Sequence, residues 1–122
     1  MSNLIKIHLR LLHDDDIALG PGKADLLEAI AREGSLSAAA KALNISYRRV
    51  WSMVESMNNG FRTPLVSTAH GGTKGGGATV TELGQTVLAQ YRSLQSDVQA
   101  LALSHFTRLE PLMKPPEDTP ET

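Results

Sequence analysis

The chain has 122 residues, a hydrophobic fraction of 41%, only 4% aromatic residues, no cysteine and a formal net charge of −1. That length suits one compact domain with an arm or tail, and aliphatic side chains must fill most of its core. No apolar run approaches the roughly 20 residues that span a bilayer, and the N-terminus turns acidic too early for a secretion signal. Without cysteine there is no disulfide or thiolate metal site, so a reducing cytoplasm is the expected compartment.

Residues Leu4 to Leu12 alternate, with Ile5, Ile7, Leu9 and Leu11 on one side and Lys6, His8 and Arg10 on the other. A period of two predicts a strand with one buried face. Asp14–Asp15–Asp16 forms a turn, and Ile17–Leu19 returns as a second short strand. Gly20-Pro21-Gly22 then precedes a helix over about Lys23–Glu33 whose Leu26, Leu27 and Ile30 form one apolar stripe, with Gly34 as a left-handed stop.

Ser35 or Ser37 caps the next helix, which carries Ala38, Ala39, Ala40, Ala42 and Leu43. Its small residues permit the close backbone approach that two steeply crossing helices need. Asn44 ends it, Ile45 is a buried turn residue, and Ser46 caps a third helix. That helix buries Val50, Val54 and Met57 at i, i+4 and i+7 and ends at Asn58-Asn59-Gly60.

Pro64–Ala69 and Ala78–Val80 flank the run GGTKGGG as the two strands of a hairpin with a loose tip. Thr81 caps a last helix reaching about His105, in which Val87, Tyr91, Leu94, Val98 and Leu101 follow 4-3-4-3 spacing. That spacing is the seam of a helix paired with another helix, and it predicts a homodimer. The tail from Glu110, EPLMKPPEDTPET, is acidic, proline-rich and expected to be disordered. The chain thus divides into an N-terminal β arm (1–20), a helix-turn-helix with its wing (21–80), a dimerisation helix (81–108) and a tail (109–122). The fold class is mainly α with a small β component.

Two short helices, a tight turn and a wing form a geometry for reading DNA, and the charge distribution agrees with it. Between Ser35 and Val80 the basic residues are Lys41, Arg48, Arg49, Arg62 and Lys74, against the single acid Glu55. The acids gather in the Asp14–Asp16 turn and the tail, and phosphate attraction depends on the local patch more than on the total.

In such a fold the first residues of the second helix face base edges and phosphates. With Val50, Val54 and Met57 inward, a rotation of about 100° per residue leaves Tyr47, Arg48, Trp51, Ser52 and Glu55 outward and Arg49 at the flank. Arg48 is expected to make the bidentate contact to guanine, and Arg49 to take a phosphate. Ser46 sits where the helix amides can meet another phosphate. Tyr47 has two readings, a thymine methyl or a phosphate. Trp51 is expected to pack partly under the wing rather than to touch DNA.

Thr73 and Lys74 lie in the glycine run, where backbone amides can approach the sugar-phosphate rail and Lys74 adds charge. The run fails the Walker pattern, because no Lys-Ser/Thr pair opens a helix. No catalytic constellation is present. His8, His13, His70 and His105 are scattered, and Asp14–Asp16 lacks the alternating ligands of a calcium loop. No enzyme activity, metal or cofactor is expected.

GSLSAAAKALNISYRRVWSMVESMN resembles the helix-turn-helix of LysR-type and ModE-type bacterial regulators. With PLVSTAHGGTKGGGATVTELGQTVLAQYRSL added, it is most similar to the N-terminal DNA-binding domain of the molybdate-responsive ModE family, over about Ile17 to Leu94. The Ile-Ser-Tyr opening, Trp51, the Met57-Asn58 helix end, the GG..GGGA wing and the T-E-L-G helix start carry the resemblance. It implies a winged helix-turn-helix, dimerisation through the N-terminal strand and last helix, and transcriptional control by operator binding. Molybdate-sensing members add C-terminal β-barrel modules, and this sequence holds no residues onto which their ligand positions can be carried, so molybdate is not an expected effector of this chain. The alternative from another class is a winged-helix protein-interaction module that does not bind DNA.

Overall fold

A computed structural model describes residues 4–69 and 77–116. In chain order they form β1 (Leu11–His13), β2 (Asp16–Leu19), α1 (Pro21–Glu33), α2 (Leu36–Leu43), α3 (Tyr47–Gly60), β3 (Val66–Thr68), β4 (Ala78–Val80) and α4 (Glu82–Leu109), with a 3-10 turn over Glu110–Leu112. The mainly helical class with small antiparallel hairpins is the one that the sequence predicts.

The helix boundaries follow local chemistry. Pro21 opens α1, where its missing N–H would have had no helical partner anyway. Gly34 ends that helix at φ 81°, donating its N–H to the Ile30 carbonyl and accepting from Ala78 N at 2.9 Å. One left-handed residue therefore stops α1 and anchors β4. The Ser35 hydroxyl accepts from Ala38 N at 3.1 Å, which selects Ser35 over Ser37 as the cap of α2. Asn44 closes α2 in the left-handed region at φ 59°, a conformation its short polar side chain tolerates.

Leu26, Leu27 and Ile30 of α1 meet Leu36, Ala39 and Ala40 of α2 and Val50, Val54 and Met57 of α3 in one core. Leu65, Val66, Ala78 and Val80 close it from the wing side, and all of these residues are buried. β3 pairs antiparallel with β4 in the register Val66↔Val80, Ser67↔Thr79 and Thr68↔Ala78. Thr81 receives the amide of Gly84 on its hydroxyl at 3.0 Å and donates that hydroxyl to the Pro64 carbonyl at 2.8 Å, so the cap of α4 also ties down the wing.

Three expectations change. The strand predicted over Leu4–Leu12 pairs only at Leu11–His13, against Asp16–Leu19, with a bulge between Leu11 and Leu12. Ile5, Ile7 and Leu9 keep the alternating burial of a strand, but residues 5–10 have no ladder partner among the described residues. Alternation reports which side is covered, whereas a strand also requires a second backbone. α4 runs on to Leu109 and a 3-10 turn follows it, so the region from Glu110 opens with ordered chain. Residues 117–122 lie outside the described part.

The third change concerns the seam. Tyr91 is only 2% exposed and belongs to the protomer's own core. Its hydroxyl donates to the Leu9 carbonyl at 2.7 Å, pinning the N-terminal segment against α4. Val87 also packs on that core. Farther along, Val98 is half-buried, while Leu94 and Leu101 are exposed. Tyr91 is therefore covered within its own chain, because the first turns of α4 lie against α1 and β4.

Candidate nucleic-acid interface

The two faces of α3 separate as the helical period dictates. Val50, Val54 and Met57 are buried in the core. Tyr47, Arg48, Arg49, Trp51, Ser52 and Glu55 are all exposed. Ser46 opens the helix with its hydroxyl accepting from Arg49 N at 3.0 Å, and Val50 N bonds to the Ser46 carbonyl at 3.1 Å. The amides of Tyr47 and Arg48 remain as the unpaired donors that every helix start presents.

Five of the predicted contact residues, Ser46, Tyr47, Arg48, Arg49 and Ser52, thus share one exposed stretch at the beginning of α3. Thr73 and Lys74 lie outside the described residues. Among the described residues, neither Arg48 nor Arg49 is held in a salt bridge, and the same is true of Lys41 and Arg62. Arginine side chains left to solvent at a helix N-terminus keep their full donor capacity for an external acceptor.

Trp51 is 39% exposed, and its ring meets that of Tyr47 edge-on, with centroids 6.3 Å apart and planes at 81°. An i, i+4 pair on one helix face brings the two rings together. The wing tip under which Trp51 is expected to pack in part lies outside the described residues.

The opposite end of this face has a different character. His13, Asp16, Ser52, Glu55 and Asn59 line a shared cleft between the N-terminal hairpin and α3. Acidic groups there limit the cation-rich surface to the first two turns of the helix.

Several residues that sequence reasoning left without a role position this surface. Asn58, read only as part of a helix end, accepts the amides of Leu65 at 2.8 Å and Val66 at 3.1 Å on Oδ1. Its Nδ2 donates to the Val66 carbonyl at 3.1 Å, so the first wing strand is bonded to the last turn of α3. Lys23 donates to the Ile17 carbonyl and, at 2.8 Å, to the Ser56 hydroxyl, linking the N-terminal hairpin, α1 and α3. Partial burial lowers the Lys23 pKa, while nearby Asp16 acts in the opposite direction.

Arg92 of α4 donates to both Glu28 oxygens, at 3.0 and 2.8 Å, and to Asp25 at 2.8 Å on α1. The hydrogen bond from Arg92 holds the Glu28 carboxyl below the usual glutamate range. No single-sequence signal marks these partners, since each pair is brought together only by the tertiary fold.

This framework has known relatives. Residues 23–85 match the bacterial regulatory helix-turn-helix protein family of lysR type. The chain belongs to that family. A LysR-type neighbour of known structure, the full-length LTTR LysG from Corynebacterium glutamicum with bound effector Arg, superposes with a TM-score of 0.51 at 27% identity, over 78% of this chain and 30% of that one.

Among curated proteins, the chain is 41% identical to the molybdenum transport protein ModE of Azotobacter vinelandii, over 75% of this chain and 34% of that protein. It is 41% identical to the molybdenum-pterin-binding protein MopB of Rhodobacter capsulatus, over 74% of this chain and 33% of that protein. The DNA-binding transcriptional dual regulator ModE of Escherichia coli K12 is 37% identical over 70% of this chain and 33% of its own length. The chain therefore spans about a third of the curated relatives it matches. The family match covers α1 through the start of α4, the part that builds the exposed face of α3.

Proposed function

We propose that this protein is a sequence-specific regulator of transcription that binds double-stranded DNA through the N-terminal half of α3. The observation that carries the reading is that half-helix itself: Ser46, Tyr47, Arg48, Arg49 and Ser52 are exposed together on a helix whose other face is locked into the core. Arg48 reads guanine in the major groove, and Arg49 and the Ser46 end of the helix take phosphates. Thr73 and Lys74 serve the adjoining backbone from the wing.

The protein acts as a homodimer. Support comes from the apolar residues that α4 and its continuation leave in solvent, Leu94, Leu101, Leu109 and Leu112. Leu94, Val98 and Leu101 keep the 4-3 spacing of a helix pair. Two α3 helices then enter successive major grooves about 34 Å apart on a pseudo-palindromic operator. The relatives' names make operators beside molybdenum transport genes the first to test.

The test is selection of a binding site from random duplex DNA with the full chain, followed by titration over a range of salt concentrations. Arg48→Ala is expected to relax preference at one base pair per half-site. Lys74→Ala is expected to weaken all sequences alike and to reduce the salt slope. Failure to select any sequence, with no salt-dependent binding, overturns the proposal and leaves a protein-interaction module as the reading to pursue.

A further inference from the structure

Only five aromatic side chains occur in the whole chain: one Trp, two Tyr and two Phe. Tyr91 is buried in the core, and Phe61 and Phe106 are half-covered. The remaining two, Tyr47 at 50% exposure and Trp51 at 39%, reach solvent on the first two turns of the helix assigned to DNA. A protein this poor in aromatics leaves two large rings side by side outside its buried core, each with a substantial part of its surface open to solvent.

We infer that Tyr47 and Trp51 form a joint apolar reader for the 5-methyl group of a thymine in the major groove. The inference rests on the DNA-binding reading above and deepens it, adding Trp51 as a specificity-determining residue. The edge-on contact between the rings, with centroids 6.3 Å apart and planes at 81°, lies within the favoured geometry of aromatic pairs. Each ring restrains the other, so less freedom remains to be lost on binding. The pair therefore offers a prearranged corner made of one ring's face and the other's edge.

The surroundings select the occupant. Arg48 and Arg49 follow Tyr47 directly, Ser52 follows Trp51, and Glu55 is the first acid along the helix. Cations around an apolar corner favour a polyanion that carries an apolar group on its readable edge. Among base edges in the major groove, the thymine methyl is that group. Arg48 beside the corner supplies hydrogen bonds to a neighbouring base, so one turn of helix reads a methyl and a purine edge together.

The decisive experiment alters the DNA and leaves the protein intact. Once an operator has been selected, each thymine is replaced in turn by deoxyuridine, which removes the methyl and keeps every hydrogen-bonding group of the base. Loss of one buried methyl predicts about fourfold weaker binding by the full wild-type chain at one position in each half-site. The same replacement should cost Trp51→Ala and Tyr47→Ala little, while Arg48→Ala should retain the penalty. Because Trp51 is the sole tryptophan, its fluorescence should shift when the operator is added.

If operator selection persists but uracil is tolerated at every thymine, the aromatic reader is overturned and the DNA-binding proposal stands. A uracil penalty of equal size in wild-type, Trp51→Ala and Tyr47→Ala also overturns it, because another residue then touches the methyl. Unchanged tryptophan fluorescence on a bound operator has the same consequence. Absence of any sequence selection and of salt-dependent binding overturns both proposals. Should either alanine variant fail to fold, the uracil scan and the fluorescence of the wild-type protein decide alone.

Discussion

The two halves of α4 use a similar supply of apolar residues for different ends. From Glu82 to Gln95 the helix is fastened to its own protomer. Gly84 sits against the Leu65 carbonyl, Tyr91 is bonded to the Leu9 carbonyl, and Arg92 grips Asp25 and Glu28 of α1. From Ser96 to Leu109 it leaves the core behind, and Leu101 is 62% exposed. Periodicity runs through both halves without a break. What changes is the partner: the first half, apart from Leu94 near its end, completes one protomer, and the second is offered to another in the proposed dimer.

The sharpest attack on this contrast is Gly84→Ala. A methyl there would lie 2.4 Å from the Leu65 carbonyl oxygen and 2.7 Å from Val80 Cγ1, and the oxygen belongs to backbone that cannot swing aside. Overpacking of this kind should lower the unfolding free energy by about 2–3 kcal/mol in urea titration. An unchanged midpoint would mean that the helix is not tightly fastened at this point.

Tyr91→Phe is the next largest. It keeps the buried ring and strips the donor from the Leu9 carbonyl, for an expected loss of about 1 kcal/mol. Faster amide exchange in residues 5–10 should accompany it, since this is the bond that pins them to α4.

Arg92→Ala should cost about 0.5–1 kcal/mol at neutral pH, because its acidic partners are about half exposed and solvent screens the pair. Glu28 titrates below its ordinary value of 4.5. The stabilisation from its pairing is therefore complete above that value and lost as pH falls through the depressed one. The difference between wild type and Arg92→Ala should accordingly shrink in acid.

Leu101→Glu should have the smallest effect on the protomer. Its unfolding extrapolated to low protein concentration should stay within about 0.5 kcal/mol of wild type, while sedimentation shifts from dimer toward monomer. Unaltered sedimentation would remove Leu101 from the proposed seam.

Much of the fold was legible because its boundaries are set by local chemistry. Ser35, Ser46 and Thr81 cap helices, Gly34 and Asn44 stop them in left-handed conformations, and Val50, Val54 and Met57 mark the inward face of α3. The same helical period placed Arg48 and Ser52 outside. Less legible were features that depend on what lies opposite. Alternation between Leu4 and Leu12 marks the covered side at Ile5, Ile7 and Leu9 but not at Leu11, which is exposed, and it carried no information on whether a second strand would be present.

Tyr91 shares a periodic stripe with Leu94 and Leu101, yet period alone does not distinguish the protomer's core from a partner's surface. The edge-on contact of Trp51 with Tyr47 one turn earlier was equally invisible, because the period places both residues on one face without saying whether their rings meet. The Asn58 clip joins an amide side chain to backbone that is distant from the helix until the chain folds.

That clip has a consequence for changing what the protein recognises. Because Asn58 bonds the wing strand to the last turn of α3, the spacing between helix and wing is set by residues that lie apart from the exposed first turn. On the proposed reading, residues 47, 48, 51 and 52 can therefore be exchanged as a cassette, with the inward face and Asn58 retained. New base preferences could then be written onto α3 without rebuilding the scaffold that presents it.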